Sequence, residues 1–248
     1  ELITQAVDKL RSSTGLEAQV EMGDDRASLD APVVVASVQT LMREKRLLRW
    51  PRDHFNLVVV DEAHHALADS YQRVLHHFDG HAKVLGVTAT PDRGDKRNLG
   101  TYFEDIAFEI GLHELITQGY LARIVVRTMP VEIDLASVRT LAGDYSDADL
   151  GDAIEPALRE IVAAVREAAG ARKTLVFLPL IRTSRRFVAL CEEAGLTAAH
   201  IDGQSEDRAD ILARFAAGEF QILSNSMLLT EGFDEPSVAC VVCLRPTK

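Results

Sequence analysis

Residues 58–71 read VVVDEAHHALADSY and place two carboxylates, Asp61 and Glu62, directly after an apolar run. The four apolar residues 57–60 do not alternate with polar ones, which is typical of a parallel-sheet strand buried on both faces. Ligands of open parallel sheets bind at the carboxyl ends of the strands. The stretch therefore predicts an α/β fold in which Asp61 and Glu62 point into a binding cleft.

An acidic helix N-terminus is the alternative explanation for this pair of carboxylates. Asp and Glu are stabilised there by the positive end of the helix dipole. That explanation accounts for one acid well, but it accounts poorly for the sequence DEAH directly after four apolar residues. We therefore favour a functional role for Asp61 and Glu62.

The rest of the chain alternates between short apolar runs and stretches with helical spacing, which indicates an α/β fold built from parallel strands. Besides residues 57–62, the predicted strands are 32–38, 83–89, 124–133, 174–179, 198–202, 220–226 and 239–244. The predicted helices are 2–13, 38–49, 64–78, 112–119, 155–169, 182–194 and 207–217.

The alternation breaks once, and the break divides the chain into two predicted lobes. Residues 134–154 are acidic and show no strand pattern, so we predict a helical insertion or arm there. We place the first lobe at residues 1–118 and the second at residues 119–248. Both lobes start or stop within an α/β pattern, so we expect both to be incomplete at the chain ends.

Composition limits the class of protein. The chain has 248 residues, of which 47% are hydrophobic and 26% charged, which suits one large or two ordinary globular domains. No apolar run approaches the ~18 residues that span a bilayer, and no signal-peptide pattern occurs, so we expect a cytoplasmic protein. The net charge of −11 argues against a dedicated non-specific nucleic-acid binder, but it does not exclude a local basic groove.

The three cysteines do not predict a disulfide framework or a zinc site. Cys240 and Cys243 lie three residues apart in a predicted strand, where their side chains point to opposite faces, and no second pair accompanies them. We expect them to be buried thiols, with Cys191 as the third cysteine.

Two further strand ends carry residues suited to a binding site. The sequence LGVTATP at residues 85–91 brings Thr88 and Thr90 to the end of an apolar strand, although threonine is also common within strands. The sequence LLTEGFDEPSV at residues 228–238 contains Gly232, which permits close approach to a phosphate, and Asp234, which can accept a hydrogen bond from a ribose. An ordinary turn before the last strand explains this second stretch about equally well.

The sequences DEAH, TATP and T-E-G-F-D-x-P, in this order, resemble superfamily-two helicases of the DEAD/DEAH-box type. ELITQ (1–5) resembles the end of motif Ia, VVVASVQTL (33–41) resembles motif Ib, and TLVFLP (174–179) resembles motif IV. Residues 200–223 resemble the stretch between motifs IV and V. The resemblance is strongest to the bacterial and phage branch related to the helicase modules of restriction enzymes.

The resemblance implies two RecA-like lobes that use ATP and Mg²⁺ and act on nucleic acid, mainly through its backbone, with DNA expected in preference to RNA. It implies that Asp61 coordinates Mg²⁺, that Glu62 is the catalytic base and that His64 couples the nucleotide site to the second lobe. The other implied roles are coupling for Thr88 and Thr90, nucleotide approach for Gly232 and Asp234, and nucleic-acid contact for Gln5, Gln39, Thr40 and Thr230.

The histidines near the DEAH sequence suggest a metal site at first sight. They are His64, His65, His76, His77 and His81, with Asp69 among them. A helix over residues 64–78 would spread them around its circumference, whereas a metal needs three or four convergent ligands. We expect surface or interlobe histidines.

No G-x-x-x-x-G-K-[ST] sequence occurs in the chain, so the usual phosphate cradle is missing from it. We expect that cradle to lie upstream of residue 1 and the arginine-finger motif to lie downstream of residue 248, which would make the chain an internal fragment without ATPase activity of its own. Two alternatives are an ATP-dead nucleic-acid-binding or scaffold domain and the motor module of a restriction or repair enzyme.

Overall fold

The computed structural model describes residues 2–91, 99–141, 143–226, 228–229 and 233–245. It divides into two compact units, Glu1–Arg123 and Ile124–Lys248. Both contain parallel strands joined by helices, which confirms the predicted α/β class. The lobe boundary predicted at 118/119 lies close to the division between the units.

Unit 1 has short strands and mostly short helices. In chain order its elements are α1 (Leu2–Thr14), β1 (Gln19–Glu21), β2 (Val34–Ala36), α2 (Val38–Leu41), α3 (Glu44–Leu47), β3 (Leu57–Asp61), α4 (Asp69–Phe78), β4 (Lys83–Val87) and α5 (Leu112–Thr117). Single 3₁₀ turns lie at Ala63–His65 and Leu99–Thr101. The strands form two parallel pairs, β1 with β2 and β3 with β4.

The β3–β4 pair is buried on one face and open on the other. Val58 and Val60 pack with apolar side chains of α4, among them Leu75. The opposite face carries Leu57 and Val59 of β3, which are 54% and 56% exposed. The prediction of a strand buried on both faces is therefore wrong for this face, because the described residues leave Leu57 and Val59 more than half exposed to solvent.

Gly86 of β4 is required by close packing between the strand and its neighbours. A Cβ at this position would lie 2.6 Å from Cζ of Phe103 and 2.9 Å from Cβ of Ala63. These distances are shorter than non-bonded carbon atoms tolerate, so a larger residue must displace the strand or the ring.

We expect Gly86→Ala to lower the free energy of unfolding by about 1–3 kcal/mol, as overpacking of a close-packed site does. Urea denaturation of the purified chain measures the change. Phe103→Leu removes the nearest ring, so the double variant should lose less stability than the sum of the single variants. Strict additivity, or a Gly86→Ala variant as stable as the wild type, would contradict the packing argument.

Unit 2 contains a larger sheet and longer helices. In chain order its elements are β5 (Thr140–Leu141), β6 (Asp144–Tyr145), α6 (Asp147–Ile154), α7 (Leu158–Ala169), β7 (Thr174–Phe177), α8 (Ile181–Glu193), β8 (Ala198–Ile201), α9 (Arg208–Ala217), β9 (Ile222–Asn225) and β10 (Cys240–Cys243), with a 3₁₀ turn at Glu155–Ala157. Four parallel strands form one sheet in the order β10-β7-β9-β8.

The core of unit 2 lies between this sheet and the helices packed on it. Ile161 and Val165 of α7 and Phe187 of α8 are completely buried in one cluster with Val176 of β7. The spacing of Ile161 and Val165 places them on one side of their helix, which explains why α7 packs there. The second cluster, around Phe215 of α9, also contains residues of β7, β8 and β9.

The acidic segment 134–154 belongs to this core and does not form a detached arm. It contains α6, as a helical insertion requires, but also the antiparallel pair β5–β6, which its sequence pattern did not predict. Leu150 and Ile154 of α6 are completely buried. Arg139 donates to Asp149 at 2.6 and 2.8 Å and lowers the pKa of that carboxyl to about 2.

Other parts of the structure also differ from the sequence predictions. Residues 124–133 form no strand, and Val125 and Val126 are 68% and 88% exposed, because no neighbouring strand pairs with this apolar run in the described residues. Strand β1 was not predicted, since three residues are too short for a clear pattern. Cys191 is buried and Cys240 is half-buried, but Cys243 is exposed, so the prediction of a buried thiol is wrong there.

None of the helices in the described part of the chain combines the length and the apolar character that crossing a bilayer requires.

Candidate functional site

The carboxylates of the DEAH sequence stand at the carboxyl end of a parallel strand pair. Strand β3 ends at Asp61, which lies opposite Val87 of β4, so the two strands end side by side. Asp61 is exposed, and its Oδ1 accepts a hydrogen bond from the backbone N–H of Glu62 at 3.0 Å. Asp61 is the last residue of β3, and Thr88 directly follows β4. Both therefore lie at one edge of the sheet, as predicted from the sequence.

Glu62 has a strained backbone. Among the described residues it is the only non-glycine residue with a positive φ, with φ 50° and ψ 49°. Such a conformation costs on the order of 1–3 kcal/mol and persists only where the surroundings enforce it. Here it turns the chain from β3 directly into the 3₁₀ turn Ala63–His65, with Ala63 and Ala66 buried beneath it. The turn leaves the Glu62 side chain 43% exposed at the strand end.

His64 lies among the oxygens of the residues predicted to act with it. Its Nδ1 is 3.1 Å from Oγ1 of Thr88, 3.4 Å from Oγ1 of Thr90 and 3.1 Å from Oε2 of Glu62. Thr88 Oγ1 also accepts a hydrogen bond from the backbone N–H of Thr90 at 3.1 Å. His64 is 24 residues from Thr88 and 26 residues from Thr90 along the chain. The fold thus brings Glu62, His64, Thr88 and Thr90 together in one polar cluster.

This cluster can transmit a change of charge. A carboxylate only accepts hydrogen bonds, whereas a threonine hydroxyl donates and accepts, and an imidazole nitrogen does either according to its protonation. A proton gained or lost at Glu62 therefore alters what His64 Nδ1 can offer to Thr88 and Thr90. The His64 side chain is only 15% exposed, which limits competition from water for these contacts.

The donor chemistry of Asp61 fits a magnesium ion. Mg²⁺ prefers oxygen ligands, keeps several waters and is bound through one or two carboxylates together with substrate phosphates. Asp61 offers an exposed carboxylate at the sheet edge, and Oδ1 is already oriented by the N–H of Glu62. No group of three or more His, Cys, Asp or Glu residues that could hold a metal is found within the described ranges.

The other histidines of this stretch differ in their exposure to solvent. His77 is 8% exposed, and its Nε2 lies 2.8 Å from the carbonyl oxygen of Trp50, so it belongs to the core of unit 1. His76 is exposed and lies 3.9 Å from Asp79. His81 is exposed.

The predicted nucleic-acid contacts in unit 1 differ in accessibility. Gln39 is exposed and Gln5 of α1 is half-buried. Thr40 is 4% exposed, and its Oγ1 accepts hydrogen bonds from the N–H of Gly23 at 3.0 Å and from the hydroxyl of Ser37 at 2.8 Å. Thr40 can therefore affect binding only by positioning the backbone and the neighbouring exposed residue Gln39.

Of the site residues predicted in unit 2, the structure describes Asp234 only. Asp234 is exposed. Gly232 and Thr230 lie outside the described residues, so their predicted roles stay predictions.

Two buried polar positions, one in each unit, were missed by sequence reasoning. Glu21 is completely buried and accepts from Arg46 and Arg49. Asn225, also completely buried, donates from Nδ2 to the carbonyl of Val176 at 3.0 Å and accepts from the N–H groups of Leu228 and Leu229. A polar residue within the apolar run FQILSNS was the available signal for Asn225, whereas nothing in the local sequence marks Glu21 as buried.

Two family models match the chain, one within each unit. Residues 1–93 match the family model described as Type III restriction enzyme, res subunit. Residues 155–248 match the model described as Helicase conserved C-terminal domain.

Two curated yeast relatives match almost the whole chain. A candidate ATP-dependent helicase of Saccharomyces cerevisiae, IRC3, is 30% identical over 262 aligned residues, which cover 100% of this chain and 38% of the relative. A candidate mitochondrial ATP-dependent helicase of Schizosaccharomyces pombe, irc3, is 32% identical, with 97% of this chain and 41% of the relative covered. The chain thus spans about two fifths of the length of these relatives.

The fold agrees with these matches. The structure of Saccharomyces cerevisiae Dbp5 bound to RNA and ADP BeF3 superimposes with a TM-score of 0.61 at 18% identity, covering 98% of this chain and 60% of that chain. This likeness confirms the predicted RecA-like architecture. The two family models together with the yeast relatives show that the chain belongs to the superfamily-two helicases, in the branch related to the helicase modules of restriction enzymes.

Proposed function

We propose that the protein containing this chain is an ATP-dependent helicase or translocase, which couples ATP hydrolysis to movement along a nucleic-acid strand. The observation that carries the proposal is the convergence of Glu62, His64, Thr88 and Thr90 beside Asp61 at the ends of β3 and β4. The naming of both yeast relatives as ATP-dependent helicases supports it.

The proposed roles in hydrolysis come from the helicase resemblance, and the positions of the side chains are compatible with them. Mg²⁺-ATP, when bound, supplies the phosphoryl group and the charge neutralisation that its transfer requires. Asp61 would hold Mg²⁺ with its exposed carboxylate. Glu62 would orient the attacking water and accept its proton, because its side chain is half-exposed at the same sheet edge.

Coupling between hydrolysis and movement is assigned to His64, Thr88 and Thr90. A proton taken up by Glu62 removes the negative charge that faces His64 Nδ1 at 3.1 Å. The imidazole then changes its contacts with the two threonine hydroxyls, which lie at the end of β4. Such a local switch is the kind of event that lobe closure and reopening amplify.

The strand is bound mainly through its backbone. Gln5, Gln39 and the backbone around Thr40 are the proposed contacts in the first lobe, and Thr230 is the proposed contact in the second, where Gly232 and Asp234 approach the nucleotide. Amides, hydroxyls and helix ends can bind phosphates without a large basic surface, so a net charge of −11 is compatible with binding. We propose DNA in preference to RNA as the track.

A role as the motor module of a restriction or repair enzyme is the second candidate. The match of residues 1–93 to the res subunit of type III restriction enzymes favours it over an ATP-dead scaffold. This candidate requires a nuclease or methyltransferase domain in the complete protein. Sequencing the complete reading frame tests it directly, and a frame that encodes neither domain would exclude it.

The 248-residue chain is expected to show no Mg²⁺-dependent ATP turnover, because it contains no G-x-x-x-x-G-K-[ST] sequence to cradle the phosphates. The complete protein is expected to hydrolyse ATP with stimulation by single-stranded nucleic acid. Steady-state phosphate release from both proteins makes the comparison. Turnover by the 248-residue chain that is lost in Glu62→Gln would refute the first expectation, and a complete protein inactive with every nucleic acid would refute the proposed function.

A further inference from the structure

A continuous chain of polar side chains runs through unit 2 to its surface. The hydroxyl oxygen of Ser184 lies 2.6 Å from that of Ser224 and 2.7 Å from Nδ1 of His200. Nε2 of His200 lies 2.8 Å from Oδ2 of Asp202, and Arg185 donates from Nη2 to the same oxygen at 3.0 Å. These residues link helix α8 to strands β8 and β9 and to the loop after β8.

In this series of polar side chains, every residue except Arg185 is shielded from solvent. Ser184 and Ser224 are completely buried, Asp202 is 1% exposed, and the His200 side chain is 11% exposed. Serine, histidine and aspartate in this order also occur in hydrolytic enzymes, where the serine attacks the substrate. That role is excluded here, because no substrate reaches a completely buried Ser184.

The carboxylate of Asp202 is held rigidly in its ionised form. The hydrogen bond from His200 is the main cause that lowers the pKa of Asp202 to about 2, against the opposing effect of its burial. Its Oδ1 accepts from the backbone N–H of Gln204 at 2.8 Å, and its own N–H donates to the hydroxyl of Ser205 at 3.0 Å. Asp202 therefore presents a fixed negative oxygen to Arg185 at neutral pH.

Arg185 is the only residue of this polar series whose charged end lies in solvent. Its side chain is 61% exposed, although Nη2 is held by Asp202. Asp202 directly follows β8, and α8 begins a few residues after β7, so Arg185 lies near the carboxyl ends of the sheet where ligands of this fold class bind. A guanidinium held on one side by a carboxylate keeps its other N–H groups in a fixed planar array, which suits the oxygens of a phosphate.

We propose that Arg185 contacts a ligand phosphate and that the buried chain Asp202–His200–Ser184 positions its guanidinium for this contact. The inference rests on the proposed function, which supplies two phosphate ligands, the nucleic-acid strand and the nucleotide. A fixed cation is especially valuable in a chain of net charge −11, since the average field repels both ligands. Arg185 is thus a binding residue, and Asp202, His200 and Ser184 are positioning residues.

The first experiment measures the affinity of the 248-residue chain for a fluorescein-labelled single-stranded oligothymidylate by fluorescence anisotropy. Arg185→Ala should bind about tenfold more weakly, the loss expected for one charge-assisted hydrogen bond. The slope of log affinity against log salt concentration should also fall by about 0.7, as it does when one phosphate contact with a single strand is lost. Arg159→Ala is the matched control, since Arg159 pairs with Glu193 on the surface and should change neither quantity.

The second experiment separates positioning from simple electrostatics. Asp202→Asn removes a negative charge, so a purely electrostatic effect predicts tighter binding of a polyanion. The proposal predicts weaker binding, by several-fold, because the guanidinium loses its charged partner. Arg185→Lys, which keeps the charge but loses the planar array, should also bind more weakly, and it provides the test if Asp202→Asn fails to fold by circular dichroism.

Titration of the same substitutions in the complete protein with the oligonucleotide and with Mg²⁺-ATP identifies the phosphate, because the 248-residue chain has no G-x-x-x-x-G-K-[ST] sequence to cradle a nucleotide. A loss confined to the oligonucleotide assigns Arg185 to the strand, and a loss confined to ATP assigns it to the nucleotide. Equal affinity of wild type and Arg185→Ala for both ligands overturns the inference, and wild-type affinity in Arg185→Lys overturns the positioning part. A complete wild-type protein that binds neither ligand would contradict the strand-binding part of the proposed function as well.

Discussion

Glu62→Gln is expected to lower the rate of ATP hydrolysis by the complete protein by about 10²–10⁴-fold, the usual contribution of a positioned general base. Glutamine has nearly the same shape but cannot accept the proton of the attacking water. The αL backbone at residue 62 and the turn that follows should survive the change, since they depend on Ala63 and Ala66 packing beneath. Affinity for ATP and for the strand should therefore stay within a few-fold of wild type.

Single-turnover phosphate release, with nucleotide affinity measured in parallel, distinguishes a chemical defect from a binding defect. Glu114→Gln is a suitable control, because Glu114 lies in α5 and is exposed. An equal loss in both variants, or a Glu62→Gln protein that hydrolyses ATP normally, would exclude Glu62 as the base. A tenfold or larger loss of ATP affinity would instead assign Glu62 to nucleotide binding.

Glu21→Ala is expected to lower the free energy of unfolding by about 3–5 kcal/mol, as the removal of one partner from a buried ion pair does. Glu21 is completely buried and accepts from Nε of Arg46 at 2.6 Å, from Nη1 of Arg49 at 3.1 Å and from the N–H of Ala27 at 2.9 Å. The Arg46 side chain is itself only 11% exposed, so little solvent is available to replace the lost carboxylate there.

The same variant should also loosen the segment before the predicted nucleic-acid contacts. Arg46 donates from Nη1 to the carbonyl of Gly23 at 2.8 Å, and the N–H of Gly23 donates to Thr40. Loss of Glu21 therefore removes support from the backbone that carries Gln39. Hydrogen exchange of the amides near residues 23–27 should rise in Glu21→Ala before the chain unfolds globally.

Glu17→Ala provides the control for this prediction. Glu17 pairs with Arg11 at 3.0 Å, but both side chains are about two-thirds exposed or more, so its loss should cost less than about 1 kcal/mol. Chemical denaturation of both variants gives the comparison. Similar stability of Glu21→Ala and Glu17→Ala would show that the buried ion pairs contribute no more than a surface pair.

The candidate site shows how far local patterns reach. An apolar run ending in two carboxylates, and a second run ending in TATP, were enough to predict strands β3 and β4 and to place Asp61, Glu62, Thr88 and Thr90 near each other. Parallel strands end at the same sheet edge, so the inference needed only the strand assignment. The contact of His64 with Thr88 follows from the parallel register of Asp61 with Val87, which only the folded structure reveals.

Strand prediction failed where burial, not composition, decides. Residues 124–133 have the β-branched composition of a strand, yet no strand within the described ranges pairs with them, and Val125 and Val126 remain exposed. Residues 19–21 have no strong pattern, yet they form β1 because they pair with β2. Strand formation depends on a partner that can be far away in sequence, so single-sequence patterns settle it only for long apolar runs.

The sequence by itself determined the α/β class and the position of Asp61 and Glu62 at a strand end, because both depend on neighbouring residues with a fixed period. It also showed the order of the helicase motifs, through their resemblance to known sequences. The tertiary structure decided the left-handed backbone of Glu62, the buried ion pairs of Glu21 and the polar chain from Ser224 to Arg185. These features join residues 16 to 40 positions apart or depend on packing beneath a turn. Their energies arise from exclusion of water and from fixed geometry, which exist only after the strands and helices have packed together.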